Sequence, residues 1–226
     1  MDHLTAPPRV PAPWTLRGDA HVLLTRAPRT PGARLGGGVR VNAGGLGVLA
    51  FIRYAESNVG PYDELLWLAP WALRVGRARL HTVTRIYVSS EASVHNGRRE
   101  WGFPKELARF EVDAARGTQR VRVTGTAGPI AAFEIATGRR SMAVDASLLP
   151  GALLEVGQVL DGRLFRVRPR VRGRLHGARC SRLSSSAELG ELTCLGRLSA
   201  VSLLDFTLVF PRAEVSELEP GRHGGA

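Results

Sequence analysis

Stretches in which apolar and polar residues alternate recur along this chain, with Gly or Pro clusters between them. "HVLLTR" (21–26), "GVLAFIRYA" (47–55), "LHTVTRIYVSS" (80–90), "RVRVTG" (120–125), "IAAFEIAT" (130–137) and "FTLVF" (206–210) are rich in Val, Ile and Phe, and each reads as a β-strand. From Phe165 to Leu175 the arginines at 166, 168, 170, 172 and 174 take every second position. On a strand they share one face, and Phe165, Val167, Val171 and Leu175 share the other. Helical signals are few. "SEASVHNGRREWG" (90–102) has Ser90 to cap its start and Gly102 to close it, and a second helix is expected within 141–155. The clustered glycines of "NAGGLG" (42–47) precede no helix signal and read as a turn or bulge rather than a phosphate loop. With no repeat and no regular alternation of strands with long helices, a β-rich fold is expected rather than a doubly wound one.

The chain has 226 residues, 44% hydrophobic and 23% charged, which suits one globular domain with a substantial core. That domain is expected over 13–215, between flexible Pro- or Gly-rich ends at 1–12 and 216–226. The start, MDHLTAPPRVPAPW, lacks the basic and apolar regions of a secretory signal, and "LLWLAPWALRV" is too short to span a bilayer. A cytoplasmic protein without a membrane partner is expected. Two cysteines, Cys180 and Cys194, are too few for a disulfide framework, and the six histidines show no metal-ligand spacing, so no metal is expected.

The net charge of +11 raises the question of an anionic partner. The arginine stretch offers only Phe165 for stacking and matches no RNA- or DNA-binding pattern, which argues against nucleic acid. A non-catalytic module that binds anions through the 166–174 arginine face is the alternative to an enzyme.

Charge also isolates one residue. Of 31 Lys and Arg residues only Lys105, in "REWGFPKELARF" (99–110), is lysine. Surface charge distinguishes poorly between the two, but covalent amine chemistry does not: a primary amine can lose its proton and attack a ketone, whereas guanidinium stays protonated. Lys105 is therefore the candidate nucleophile.

The stretch "GFPKELA" resembles the lysine motif of the acetoacetate decarboxylase family, with Lys105 in the place of the Schiff-base lysine. "NVGPYDELL" (58–66) resembles the family segment that bears an active-site glutamate, which falls on Glu64. "FPRAEV" (210–215) resembles the closing strand, and "PWTLRGDAHVLLTR" (13–26), more loosely, the opening one. The resemblance implies an α+β, β-rich fold: a β-barrel core of mainly antiparallel strands with a few peripheral helices. It also implies a homo-oligomer, no cofactor, and decarboxylation of a small acetoacetate-like β-keto acid through an iminium on Lys105. Aldolase or dehydratase chemistry on 2-oxo acids and aldehydes is the family-level alternative.

The chain departs from the decarboxylase pattern at several places. Glu106 stands where a second lysine follows the nucleophile, and Leu49 where a second pocket carboxylate is aligned. The arginine of the opening strand aligns near Asp19, so Arg17, two residues earlier, becomes the candidate for binding the substrate carboxylate. If Lys105 lies on a strand, Glu106 faces away from it; if Pro104 opens a helical turn, Lys105 sits near the positive end of that turn.

Overall fold

The computed structural model describes residues 7–28, 33–36, 39–41, 45–115, 117–150, 154–187, 189–196 and 200–218. Six strands come first: β1 (Trp14–Ala27), β2 (Ala33–Gly36), β3 (Val39–Val41), β4 (Gly45–Glu56), β5 (Tyr62–Val75) and β6 (Ala78–Val88). The helix α1 (Glu91–Trp101) follows, then β7 (Lys105–Leu107), β8 (Arg109–Ala115), β9 (Thr118–Gly125) and β10 (Gly128–Asp145). A single 3-10 turn, Ala146–Leu148, leads to β11 (Val156–Leu160), β12 (Arg163–Val167) and β13 (Arg170–Ser185). The chain ends with β14 (Thr193–Cys194), β15 (Ala200–Phe210) and β16 (Glu214–Glu217).

The strands pair in the order β16-β12-β11-β6-β5-β4-β1-β15-β13-β10-β9-β8. Pairing is antiparallel except where β6 meets β7 and β11. The β-rich expectation holds. The path has two ends, β16 and β8, so strand pairing among the described residues does not close it into the expected barrel.

The middle of this path is buried on both faces, which its sequence makes possible. On β1, β4 and β5 one face carries Leu23, Leu49, Phe51, Leu65 and Trp67, packed with Val121, Val123, Phe133 and Ile135 of β9 and β10. The opposite face carries Leu16, Ile52 and Tyr54, packed with Trp101 of α1, Val156 of β11 and Phe165 of β12. The two ends of the sheet thus cover opposite faces of its centre. Alternation along each strand divides the side chains between the two cores.

Two expectations change. Among the described residues of 141–155 there is no α-helix: residues 141–145 continue β10, pairing Ser141 with His176 through to Asp145 with Arg172, and the short 3-10 turn follows before residues 151–153, which lie outside the description. Ladder bonds to β13 outweigh whatever helical preference the segment has. The arginine stretch is likewise two strands. Pro169, which has no N–H to donate, lies in the gap between β12 and β13, and these two strands sit in distant parts of the sheet. Its alternation is nonetheless retained, with Phe165 and Val167 buried and Arg170, Arg172 and Arg174 exposed. Residues 42–44 of the glycine cluster also lie outside the description.

Candidate active site

The short helix forms where local chemistry asks for it. The hydroxyl of Ser90 accepts the Ser93 N–H at 3.3 Å, and Gly102 takes the left-handed conformation at φ 67° that closes the last turn. Its buried face is Ser93, Asn96, Gly97 and Trp101, at the spacing that stacks side chains along one stripe.

After the helix, Phe103 and Pro104 turn the chain into β7, where Lys105 pairs in parallel with Ile86 of β6. The strand alternative therefore applies. Lys105 is buried and Glu106 exposed, on opposite faces of β7. The Lys105 carbonyl accepts the Arg98 Nε–H at 2.9 Å, which anchors β7 to the helix. The lysine stem then lies against Gly97: a Cβ there would stand 2.7 Å from Lys105 Cδ and 2.8 Å from Cε. With any side chain at 97 the lysine stem would have to shift from this position.

Lys105 Nζ donates to Glu64 Oε2 at 2.7 Å and to Ser93 Oγ at 2.9 Å. Both members of the ion pair are about 95% out of solvent, with side-chain exposures of 6% and 5%. The second Glu64 oxygen accepts the Tyr54 hydroxyl at 3.2 Å, and the Tyr62 ring lies beneath the ammonium, 5.3 Å from Nζ to its centroid. Burial first, and then the Glu64 charge, hold both phenols well above their ordinary range. At neutral pH both stay protonated, so Tyr54 remains a donor to the carboxylate.

This cluster opens into a cavity of about 200 Å³. Its walls come from every nearby element: Trp14 and Leu16 of β1, Leu66 and Leu68 of β5, Val83 and Ile86 of β6, with Trp101, Phe103 and Phe210 closing it. The aromatic wall is held from outside. Within the N-terminal segment, Val10 and Ala12 N–H donate to Asn96 Oδ1 and Glu100 Oε2 of α1, and Trp14 stands edge-on to Trp101 with centroids 5.0 Å apart.

Of the residues singled out in the sequence, Lys105 and Glu64 meet, although 41 positions separate them. Arg17 does not join them. Its side chain is 61% exposed and pairs at 3.8 Å with Glu56 on the surface. Asp19 caps a backbone N–H of Asp205 instead of facing the cavity. Leu49 belongs to the opposite core, so no residue at that position reaches this cavity; its neighbours Ile52 and Tyr54 do. Ser93, Tyr54 and Tyr62 went unremarked in the sequence. Only Tyr62 carried a signal, two positions before Glu64 and hence on the same face of a strand. Among the described residues no group of three or more His, Cys, Asp or Glu side chains converges as a metal site.

A family model described as acetoacetate decarboxylase matches residues 37–185. No curated protein matches the sequence. Among solved structures, an acetoacetate decarboxylase from Legionella pneumophila is similar at 16% identity and a TM-score of 0.70, covering 96% of this chain and 94% of that one. An acetoacetate decarboxylase-like enzyme from Sphingomonas wittichii is similar at 14% identity and 0.63, covering 96% and 99%. The enduracididine biosynthesis enzyme MppR, in its complex with pyruvate, is similar at 12% identity and 0.60, covering 93% and 92%.

Proposed function

The chain belongs to the acetoacetate decarboxylase family, and from that premise we propose that it is a cofactor-independent Schiff-base enzyme acting on an oxo acid through Lys105. The observation that carries this reading is the contact of Lys105 Nζ with Glu64 Oε2, 2.7 Å long, at one end of an apolar cavity.

In the proposed cycle Glu64 takes a proton from Nζ, and the freed amine adds to the substrate carbonyl carbon. A proton passes from nitrogen to oxygen to give the carbinolamine. Glu64 returns its proton to the hydroxyl, which leaves as water, and the iminium remains beside the carboxylate. With a β-keto acid the bond to the carboxyl carbon breaks, carbon dioxide departs and the electron pair enters the C=N⁺ unit to give an enamine. A proton taken from water and delivered to carbon through Glu64 restores the iminium, and hydrolysis by water releases the ketone and the free lysine. The hydroxyl of Tyr54 holds Glu64 in place, and Ser93 orients Nζ. An iminium that loses a Cα proton instead gives the enamine needed for aldol addition, so an aldehyde acceptor tests the family-level alternative.

Cyanoborohydride trapping with acetoacetate, pyruvate and a panel of aldehydes tests this reading, scored by intact mass and peptide mapping. Reduced adducts at Lys105, with ketone and carbon dioxide formed from the β-keto acid, are the expected result. Folded protein that gives no adduct at Lys105 with any carbonyl sinks it.

A further inference from the structure

Among the described residues that line it, the cavity is charged at one end only. Lys105 and Glu64, with the hydroxyls of Tyr54 and Tyr62, occupy that end and bond to each other or to Ser93. Along β5, Leu66 and then Leu68 carry the wall away from Glu64, and Leu68 lies four residues on, roughly 13 Å along an extended strand. Across from them stand Ile86 and Val83 of β6, and past Val83 comes Val156, whose strand pairs with His81. Trp14, Trp101, Phe103 and Phe210 supply aromatic surface. Among the described residues no arginine lines this space, and Arg17 is engaged at the surface with Glu56.

We propose that the substrate carries, on the side of its carbonyl facing Leu68 and Val83, an uncharged hydrocarbon group of about phenyl size, and that carbonyl compounds with an anionic tail are rejected. This rests on the Schiff-base reading for the reacting end and on the cavity wall for the tail. A carboxylate β to the carbonyl faces the iminium and leaves as carbon dioxide. One at the far end would be buried among leucine and valine, with no cation among the described residues that line it, a costly transfer out of water. Size agrees with chemistry, since an apolar protein cavity of about 150 Å³ accepts benzene and this one measures about 200 Å³.

Three methyl ketones distinguish the possibilities: 4-phenyl-2-butanone, 4-oxopentanoate and acetone, trapped at Lys105 with cyanoborohydride over a concentration series. Half-saturation for the phenyl ketone is expected to be about tenfold or more below that of the other two. If 4-oxopentanoate traps as well as the phenyl ketone or better, the tail proposal fails and the Schiff-base reading stands. A second measurement needs no imine: 4-phenyl-2-butanol is expected to raise the unfolding temperature, and 4-hydroxypentanoate to leave it unchanged. Stabilisation by the phenyl alcohol without any Lys105 adduct keeps the apolar selection and removes the Schiff base. Neither adduct nor stabilisation removes both.

Discussion

Gly97 of α1 and the methylene stem of Lys105 occupy adjoining space so closely that a methyl group on Gly97 would overlap Cδ and Cε of the lysine. The Gly97→Ala variant therefore isolates positioning from folding. Alanine favours a helix interior over glycine by about 1 kcal/mol, which offsets part of the crowding, and the unfolding temperature is expected near that of the parent. Reductive trapping at Lys105 should nonetheless fall by about 100-fold, the scale set by an ångström of misplacement. A variant that folds and traps at the parental rate refutes the packing argument.

Alkaline pH gives a second test. Burial raises the phenols of Tyr54 and Tyr62 in the folded chain, with Glu64 adding to the effect. An unfolded tyrosine ionises near pH 10. Stability contributed by keeping these phenols neutral is fully present below that value and is lost as pH rises above it, because the unfolded chain then holds fewer protons. Tyrosinate absorbance against pH, compared between the parent and its Tyr54→Phe and Tyr62→Phe variants, should show both of these phenols ionising only together with loss of native circular dichroism. Ionisation of both near pH 10 in a folded chain contradicts the burial.

A third concerns Arg17. It sits in the sequence where a carboxylate ligand is sought, yet its guanidinium is mostly in solvent beside Glu56. Arg17→Ala is expected to change stability by less than about 1 kcal/mol, as for exposed ion pairs generally, and to leave half-saturation for acetoacetate trapping unchanged. A several-fold rise in that concentration would return Arg17 to the binding site.

The two cysteines give a fourth. The Cys180 thiol has two acceptors in reach, the Arg182 carbonyl at 3.1 Å and the Cys194 sulfur, and its one proton serves either. Donation to that sulfur, together with burial, pushes the Cys180 thiol up, and the same bond brings Cys194 down to about 7 against the opposing effect of its own burial. Iodoacetamide should label Cys194 ahead of Cys180, at a rate that rises through pH 7. Cys180→Ala removes the donor, and labelling of Cys194 at neutral pH should slow roughly tenfold as its thiol returns toward 8.5. Equal labelling of the two thiols in the parent rules this arrangement out.

What could be read from the residues follows how local their physics is. The helix at 90–102 was legible because Ser90 and Gly102 mark its ends within the segment itself. Lys105 was legible through composition and chemistry, and Glu64 through the resemblance of its motif. β5 was harder: Leu65 and Trp67 face one core while Glu64, Leu66 and Leu68 face the cavity, and a strand covered on both sides shows no period. Leu49 and Arg17 were tied to the site by alignment, but strand parity sends Leu49 to the other core and Arg17 lies at the surface. Ser93 and Tyr54 reach Lys105 and Glu64 only because α1 and β4 pack about one cavity, a non-local arrangement with no signature in either segment.

The enclosure of the only lysine has consequences apart from the proposed reaction. Acetylation, conjugation of ubiquitin-like proteins and glycation by reducing sugars all require an accessible primary amine, and the folded chain offers no exposed ε-amine. Lys105 is 5% exposed, so any reagent that modifies it without unfolding the protein must enter the cavity. Apart from the α-amino group, amine labelling therefore counts open cavities, and loss of labelling on adding a ligand measures how many are filled.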